Sequence, residues 1–138
     1  MKKTVQLLIV FMLSMRIDAV NQNLIVSDTF PQKLSEFHFF VDGSAQIPHS
    51  DVIPYELIST LFSDYSYKQR WVYVPKNTKA QYQENWVFDF PIGSALIKTF
   101  YYPVDERAPE LGKQLLETRL LLRKESGWEA VSLSLIHI

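Results

Sequence analysis

The side chains most able to do chemistry are charged residues set among apolar ones. Lys98 lies inside the apolar run 95–102, flanked by Ile97 and Thr99. Glu117 and Arg119 fall on one side of residues 113–124 when that stretch is read with a period of two. A charge inside an apolar strand either points to solvent or meets an opposite charge. Pairing of Lys98 with Glu117 across adjacent strands would make a structural ion pair, and contact with a ligand or partner is the functional reading of the same cluster. Asp64 and Arg70 form a weaker set that helix capping and surface pairing explain. These residues supply no nucleophile, base and orienting group in a recognisable arrangement, so the sequence assigns no catalytic residue.

Other chemistries are limited by composition. The chain has no cysteine, which excludes disulfides, thiolate metal sites, cysteine nucleophiles and covalent haem attachment within these 138 residues. His38 and His49 flank a turn without metal-ligand spacing and read as satisfied or exposed histidines. The four glycines are scattered and build no phosphate cradle, and neither a G-x-S-x-G elbow nor an H-E-x-x-H pair occurs. A formal net charge of −1 argues against an electrostatic footprint for nucleic acid. The aromatic content reads chiefly as core, with Tyr101, Tyr102 and Trp128 as the rings whose exposure would support stacking on a sugar.

These groups have to be positioned by strands. Residues 31–40 open with a proline suited to a first helical turn, and Leu34, Phe37 and His38 share one face of it. Residues 41–44 read as a turn and 45–54, with two prolines, as irregular. Ser63 and Asp64 would cap a short helix over 65–69. From Arg70 the texture changes. Residues 70–74, 78–82, 86–90 and 95–102 read as strands separated by Pro, Gly and Asn. Residues 113–124 favour helix by propensity, yet their leucines scatter around a helix and alternate cleanly along a strand. Residues 125–127 then turn into a last strand at 128–131. The pattern predicts a mainly β fold, an antiparallel β-sandwich with a short helical N-terminal portion.

The two ends carry separate signals. Lys2 and Lys3 precede an apolar run of about ten residues, too short to span a bilayer and suited to a signal peptide over 1–19, with cleavage after Ala19. Export to the periplasm or the cell exterior is expected, with 20–30 as linker, a single β-rich domain over 31–131, and no membrane span after signal removal. The final residues 133–138, LSLIHI, match the translation of a common sequencing-library transposase adapter and are expected to be an adapter-derived tail. The domain would then be truncated, with an unpaired edge and poor solubility.

Four strings run in a familiar order: FPQKLSEFHFF (30–40), VIPYELISTLFSDYSYKQRWVYVPKNTKAQY (52–82), WVFDFPIGSALIKTFYYP (86–103) and LLETRLLLRKESGWEA (115–130). Over 30–131 the chain resembles the haem-free domain that precedes the cytochrome portion in uncharacterised periplasmic diheme c-type cytochromes of bacteria. Related strings occur in secreted proteins bearing quinoprotein-type sugar dehydrogenase modules. The most specific pieces are Leu61-Phe62-Ser63-Asp64, Phe88-Asp89-Phe90-Pro91-x-Gly93, Lys98-Thr99-Phe100 and Glu117-Thr118-Arg119-Leu120-Leu121. The chain departs from the pattern at Ser59-Thr60, where the family has Asn and Pro, and it lacks the family's C-x-x-C-H motifs. The resemblance implies a non-catalytic accessory domain of an electron-transfer protein, partnered by a redox protein or by haem modules of its own chain. It implies no cofactor within these residues, with haem c expected only on the missing part. The alternative it implies is a carbohydrate-binding or other ligand-binding module of a secreted dehydrogenase.

Overall fold

The computed structural model describes residues 18–59, 62 and 65–134. The expected signal run, Asp64 and the last four residues lie outside the described residues. The chain is mainly β. A short helix α1 (Gln22–Val26) and a 3₁₀ turn (Leu34–Phe37) precede a two-stranded ribbon, β1 (Phe40–Asp42) with β2 (Ile47–Pro48). Five strands follow, β3 (Val52–Pro54), β4 (Tyr67–Tyr73), β5 (Ala95–Pro103), β6 (Lys113–Lys124) and β7 (Gly127–Ser134). They form one antiparallel sheet in chain order. The second layer of the sandwich is the ribbon, the 3₁₀ turn and α1.

Strand β6 shows why alternation outweighs propensity. Thr118, Leu120, Leu122 and Lys124 are buried on the inner face, while Glu117, Arg119, Leu121 and Arg123 line the outer one. As a helix the same leucines would leave part of their apolar surface in water. The register then stacks Trp71, Ile97, Leu120 and Val131 across four strands, and Tyr73, Ala95 and Leu122 beside them. The covering layer supplies Ile25, Leu34, Phe37 and Phe39. Phe37 and Phe39 stack at 5.2 Å between ring centres, Phe39 meets Tyr73 at 6.3 Å, and Phe40 sets its ring edge-on to Trp71 at 5.0 Å.

Several local expectations are corrected. Residues 20–30 are packed rather than free: Val20 and Ile25 are buried, and the Asn21 amide donates to the Phe37 carbonyl at 2.9 Å. Residues 67–69 belong to β4 instead of a helix, because Lys68 and Gln69 find ladder partners in Phe100 and Thr99. Residues 45–54, read as irregular, contain β2 and β3. The strands expected at 78–82 and 86–90 reduce to a single bridge between Gln81 and Asp89. Their composition favours pleated chain, but β5 is already paired on both sides, by β4 and β6, so no edge is open to them there. The last strand continues past residue 131. Leu133 is buried and sits opposite Thr118.

Thr99 and Thr118 face each other directly on β5 and β6, fully buried, with their hydroxyls 2.8 Å apart. Each hydroxyl is the other's partner, with Gln69 opposite Thr99 on β4 and Leu133 opposite Thr118 on β7. Thr99→Val should cost about 1–2 kcal/mol, because the Thr118 hydroxyl is left without its partner. The double change Thr99→Val with Thr118→Val should recover most of that loss, since neither hydroxyl then remains. Urea denaturation of the four proteins in the cycle measures the coupling.

Candidate functional site: the outer face of the sheet

The inner face is covered by the chain's own elements, whereas the outer face carries the polar cluster read from the sequence. Arg70 on β4, Lys98 on β5 and Arg119 on β6 are direct register partners and form a row of three cations across three strands. The neighbouring row is Lys68, Phe100 and Glu117. Thus Arg70, Lys98, Glu117 and Arg119 come together, while Asp64 lies outside the described residues. The expected pairing differs in one respect. Lys98 faces Arg119, and Glu117 forms its ion pair with Arg119 on its own strand. The alternation of charges is compatible with registers two residues apart, and the observed one places like charges opposite each other.

Phe100 organises these cations. The Lys98 ammonium lies 4.6 Å from its ring centre and the Arg119 guanidinium carbon 4.8 Å from the same centre. Arg70 is more enclosed, its side chain only 5% exposed, and its guanidinium approaches the well-exposed Glu56 carboxylate at 3.9 Å. Burial holds the Lys98 ammonium below its usual pKa, and the neighbouring Arg70, Lys68 and Arg119 charges push the same way, with Glu117 opposing them.

Further along the same face a cleft of about 250 Å³ is lined by Gln83, Trp86, Val87, Phe88, Asp89, Arg123 and Trp128. The 81–89 loop is closed by reciprocal backbone bonds between Gln81 and Asp89, at 2.8 and 2.9 Å. Arg123 on β6 pins it: Nε donates to the Phe90 carbonyl at 3.3 Å, and a terminal nitrogen stands 3.9 Å from the Asp89 carboxylate. Tyr82, Phe88, Phe90 and Trp128 then meet edge-on in sequence, at 5.9, 6.4 and 5.8 Å. Trp86 is 79% exposed at the rim, and Trp128 is 39% exposed. Of the rings singled out in the sequence, Trp128 therefore lines a cleft. Tyr101 is half-buried, packed on Tyr67 at 5.6 Å and capped by the Lys113 ammonium at 4.9 Å.

Sequence reasoning missed Trp86, Phe88, Asp89 and Arg123 as a group. The available signal was the run 86–90, where Trp86, Phe88 and Phe90 alternate onto one side as three aromatic rings with Asp89 between two of them. It missed Phe100 as well, whose place between two cations depends on register.

The histidines do not converge. His38 ends the 3₁₀ turn in the left-handed region (φ 56°), with Nδ1 3.2 Å from the Ala19 carbonyl. His49 is buried, with its Nδ1 3.1 Å from the Asp51 backbone N–H, and the Asp51 carboxylate pairs with Lys76 at 3.1 Å. Among the described residues no group of three His, Cys, Asp or Glu side chains is placed to hold a metal ion, and no helix is long and apolar enough to cross a membrane. Comparison with protein-family models, with curated proteins and with solved structures found no match.

Proposed function

We propose that this chain is a non-catalytic accessory domain of an exported, c-type-cytochrome-like electron-transfer protein, acting in the periplasm or outside the cell. Its outer sheet face is the surface against which a redox protein or a haem module of the same chain docks. The observation that carries the reading is the division between faces: the inner face is sealed by the chain's own aromatic residues, while Trp86, Phe88, Trp128 and Leu121 stand open on the outer side. Weak redox encounters need only small interfaces, and exposed rings beside fixed charges suit them. A rigid β domain fits this task because electron transfer depends on how far apart the redox centres are held.

The test is titration of the ¹⁵N-labelled full chain with a soluble diheme c-type cytochrome. The indole N–H signals of Trp86 and Trp128 and the Leu121 amide should shift, while that of buried Trp71 stays in place. Absence of any shift at millimolar cytochrome would overturn the reading. The gene read from an unfragmented template should also encode C-x-x-C-H motifs after Val131.

The cleft favours a second reading, a carbohydrate-binding module. Rings of Trp86, Phe88 and Trp128 beside Gln83, Asp89 and Arg123 combine stacking surfaces with hydrogen-bonding groups of the kind sugars require. Saturable quenching of Trp128 by an oligosaccharide, without any response to cytochrome, would place this reading first.

A further inference from the structure

The cation row has a cost that the fold does not explain. Like charges placed directly opposite each other on adjacent strands destabilise a sheet. Here two such pairs adjoin, Arg70 with Lys98 and Lys98 with Arg119. Lys68 adds a fourth cation in the next row. Glu117 sits on Arg119, and Glu56 reaches Arg70 only at 3.9 Å from an exposed position. Lys98 stands between the two arginines, and among the described residues no carboxylate comes within ion-pair distance of its ammonium. Phe100 holds Lys98 and Arg119 in place from below, so the charges are oriented as well as concentrated.

We infer that the Arg70–Lys98–Arg119 row is a recognition strip for an acidic polypeptide segment of a partner protein, laid across β4, β5 and β6. Adjacent strands are about 4.8 Å apart, so the row spans roughly 10 Å, and an extended peptide presents same-side carboxylates about 7 Å apart. Two neighbouring carboxylates therefore cover the strip. Lys98 and Arg119 make the contacts, while enclosed Arg70 supplies field from the side. With Arg70 enclosed, the open cations Lys98 and Arg119 stand side by side on neighbouring strands, which suits spaced carboxylates better than a single phosphate, which asks for converging donors. A chain of net charge −1 lacks the extended positive surface that a nucleic acid would need.

The inference concerns the face assigned to docking but does not require the partner to carry haem. The full chain is titrated with fluorescein-labelled hexaglutamate, hexalysine and a single-stranded oligodeoxynucleotide, at low salt and at about 0.2 M, where the screening length falls below 8 Å. Hexaglutamate alone should bind, and its affinity should drop about tenfold or more at the higher salt. Lys98→Gln and Arg119→Gln should each weaken it by about tenfold. The Tm of Lys98→Gln should stay level or rise, because removing the middle charge relieves both opposed pairs. No hexaglutamate binding at low salt, binding unaltered in the two variants, preference for the oligonucleotide, or a lowered Tm for Lys98→Gln would each overturn the inference. Hexaglutamate binding without any cytochrome response would keep the strip and remove the haem-module reading; a cytochrome response without hexaglutamate binding would do the reverse.

Discussion

Phe37→Ala should destabilise the domain by about 3–5 kcal/mol, the range for deleting a buried aromatic side chain. Phe37 comes from the 3₁₀ turn, is fully buried, and stacks on Phe39 at 5.2 Å with the rings nearly parallel. Phe39 in turn meets Tyr73 on β4. The backbone carbonyl of Phe37 also accepts the Asn21 amide. Loss of the ring thus opens a cavity at the point where the N-terminal segment, the ribbon and the sheet all meet. Few neighbours can collapse into it, because Trp71, Ile97 and Leu122 are held by the ladder, which puts the expected cost in the upper part of the range. Single domains have total stabilities of about 5–15 kcal/mol, so the variant should be close to unfolded at 37 °C. Urea denaturation of the full chain followed by far-UV circular dichroism is the measurement. A loss below about 1 kcal/mol would mean that the covering layer is not part of the cooperative core.

Strands β5 and β6 were legible because alternation is a local property: Ala95, Ile97 and Thr99, or Thr118, Leu120 and Leu122, declare one face without reference to any neighbour. The β6–β7 hairpin was equally local, with Lys124 opposite Gly127 across a two-residue loop. What could not be read depended on which edges remained free. Residues 86–90 have strand composition, and only the occupied flanks of β5 send them into a loop whose rings line the cleft. Residues 67–69 are polar enough to pass for the end of a helix, and only pairing with β5 makes them strand. The packed segment 20–30 offers a sparse signal, since only Val20 and Ile25 from it are buried, with Leu24 and Phe30 packed at the margin of the core. The charged cluster was legible as a face, because Glu117 and Arg119 are two apart, but its pairing was not. Opposing Lys98 to Arg119 instead of Glu117 is a shift of two residues, which leaves every apolar residue on its own side of the sheet. Alternation therefore cannot choose between them, and the contacts around Phe100 and the bulge after it accompany the register observed.

Lys124→Ala should cost about 2–3 kcal/mol, and its effect should fall unevenly on the fold. Lys124 closes the inner face of β6 and is 5% exposed, unusual for a lysine. Its ammonium donates to the Ser27 carbonyl, pairs with Glu129 of β7 at 2.6 Å, and lies 4.5 Å above the Phe30 ring. One side chain therefore ties the segment after α1 to the last hairpin. Removing it leaves a gap beneath Phe30 and deprives the Ser27 carbonyl of its donor, whereas Glu129 is open enough to be hydrated. Lys124→Met should cost about 1 kcal/mol or less, because the methionine keeps the packing and only the charged contacts are lost. Hydrogen exchange separates the local effect from the global one. In Lys124→Ala the amides of Asn21 and Leu24, bonded to Phe37 and Asn21 respectively, should lose protection well before those of Ile97 and Leu120. Uniform loss across both groups would show that residues 20–30 unfold only with the whole domain. Equal destabilisation by alanine and methionine would show that the charge, not the stem, fastens this layer to the sheet.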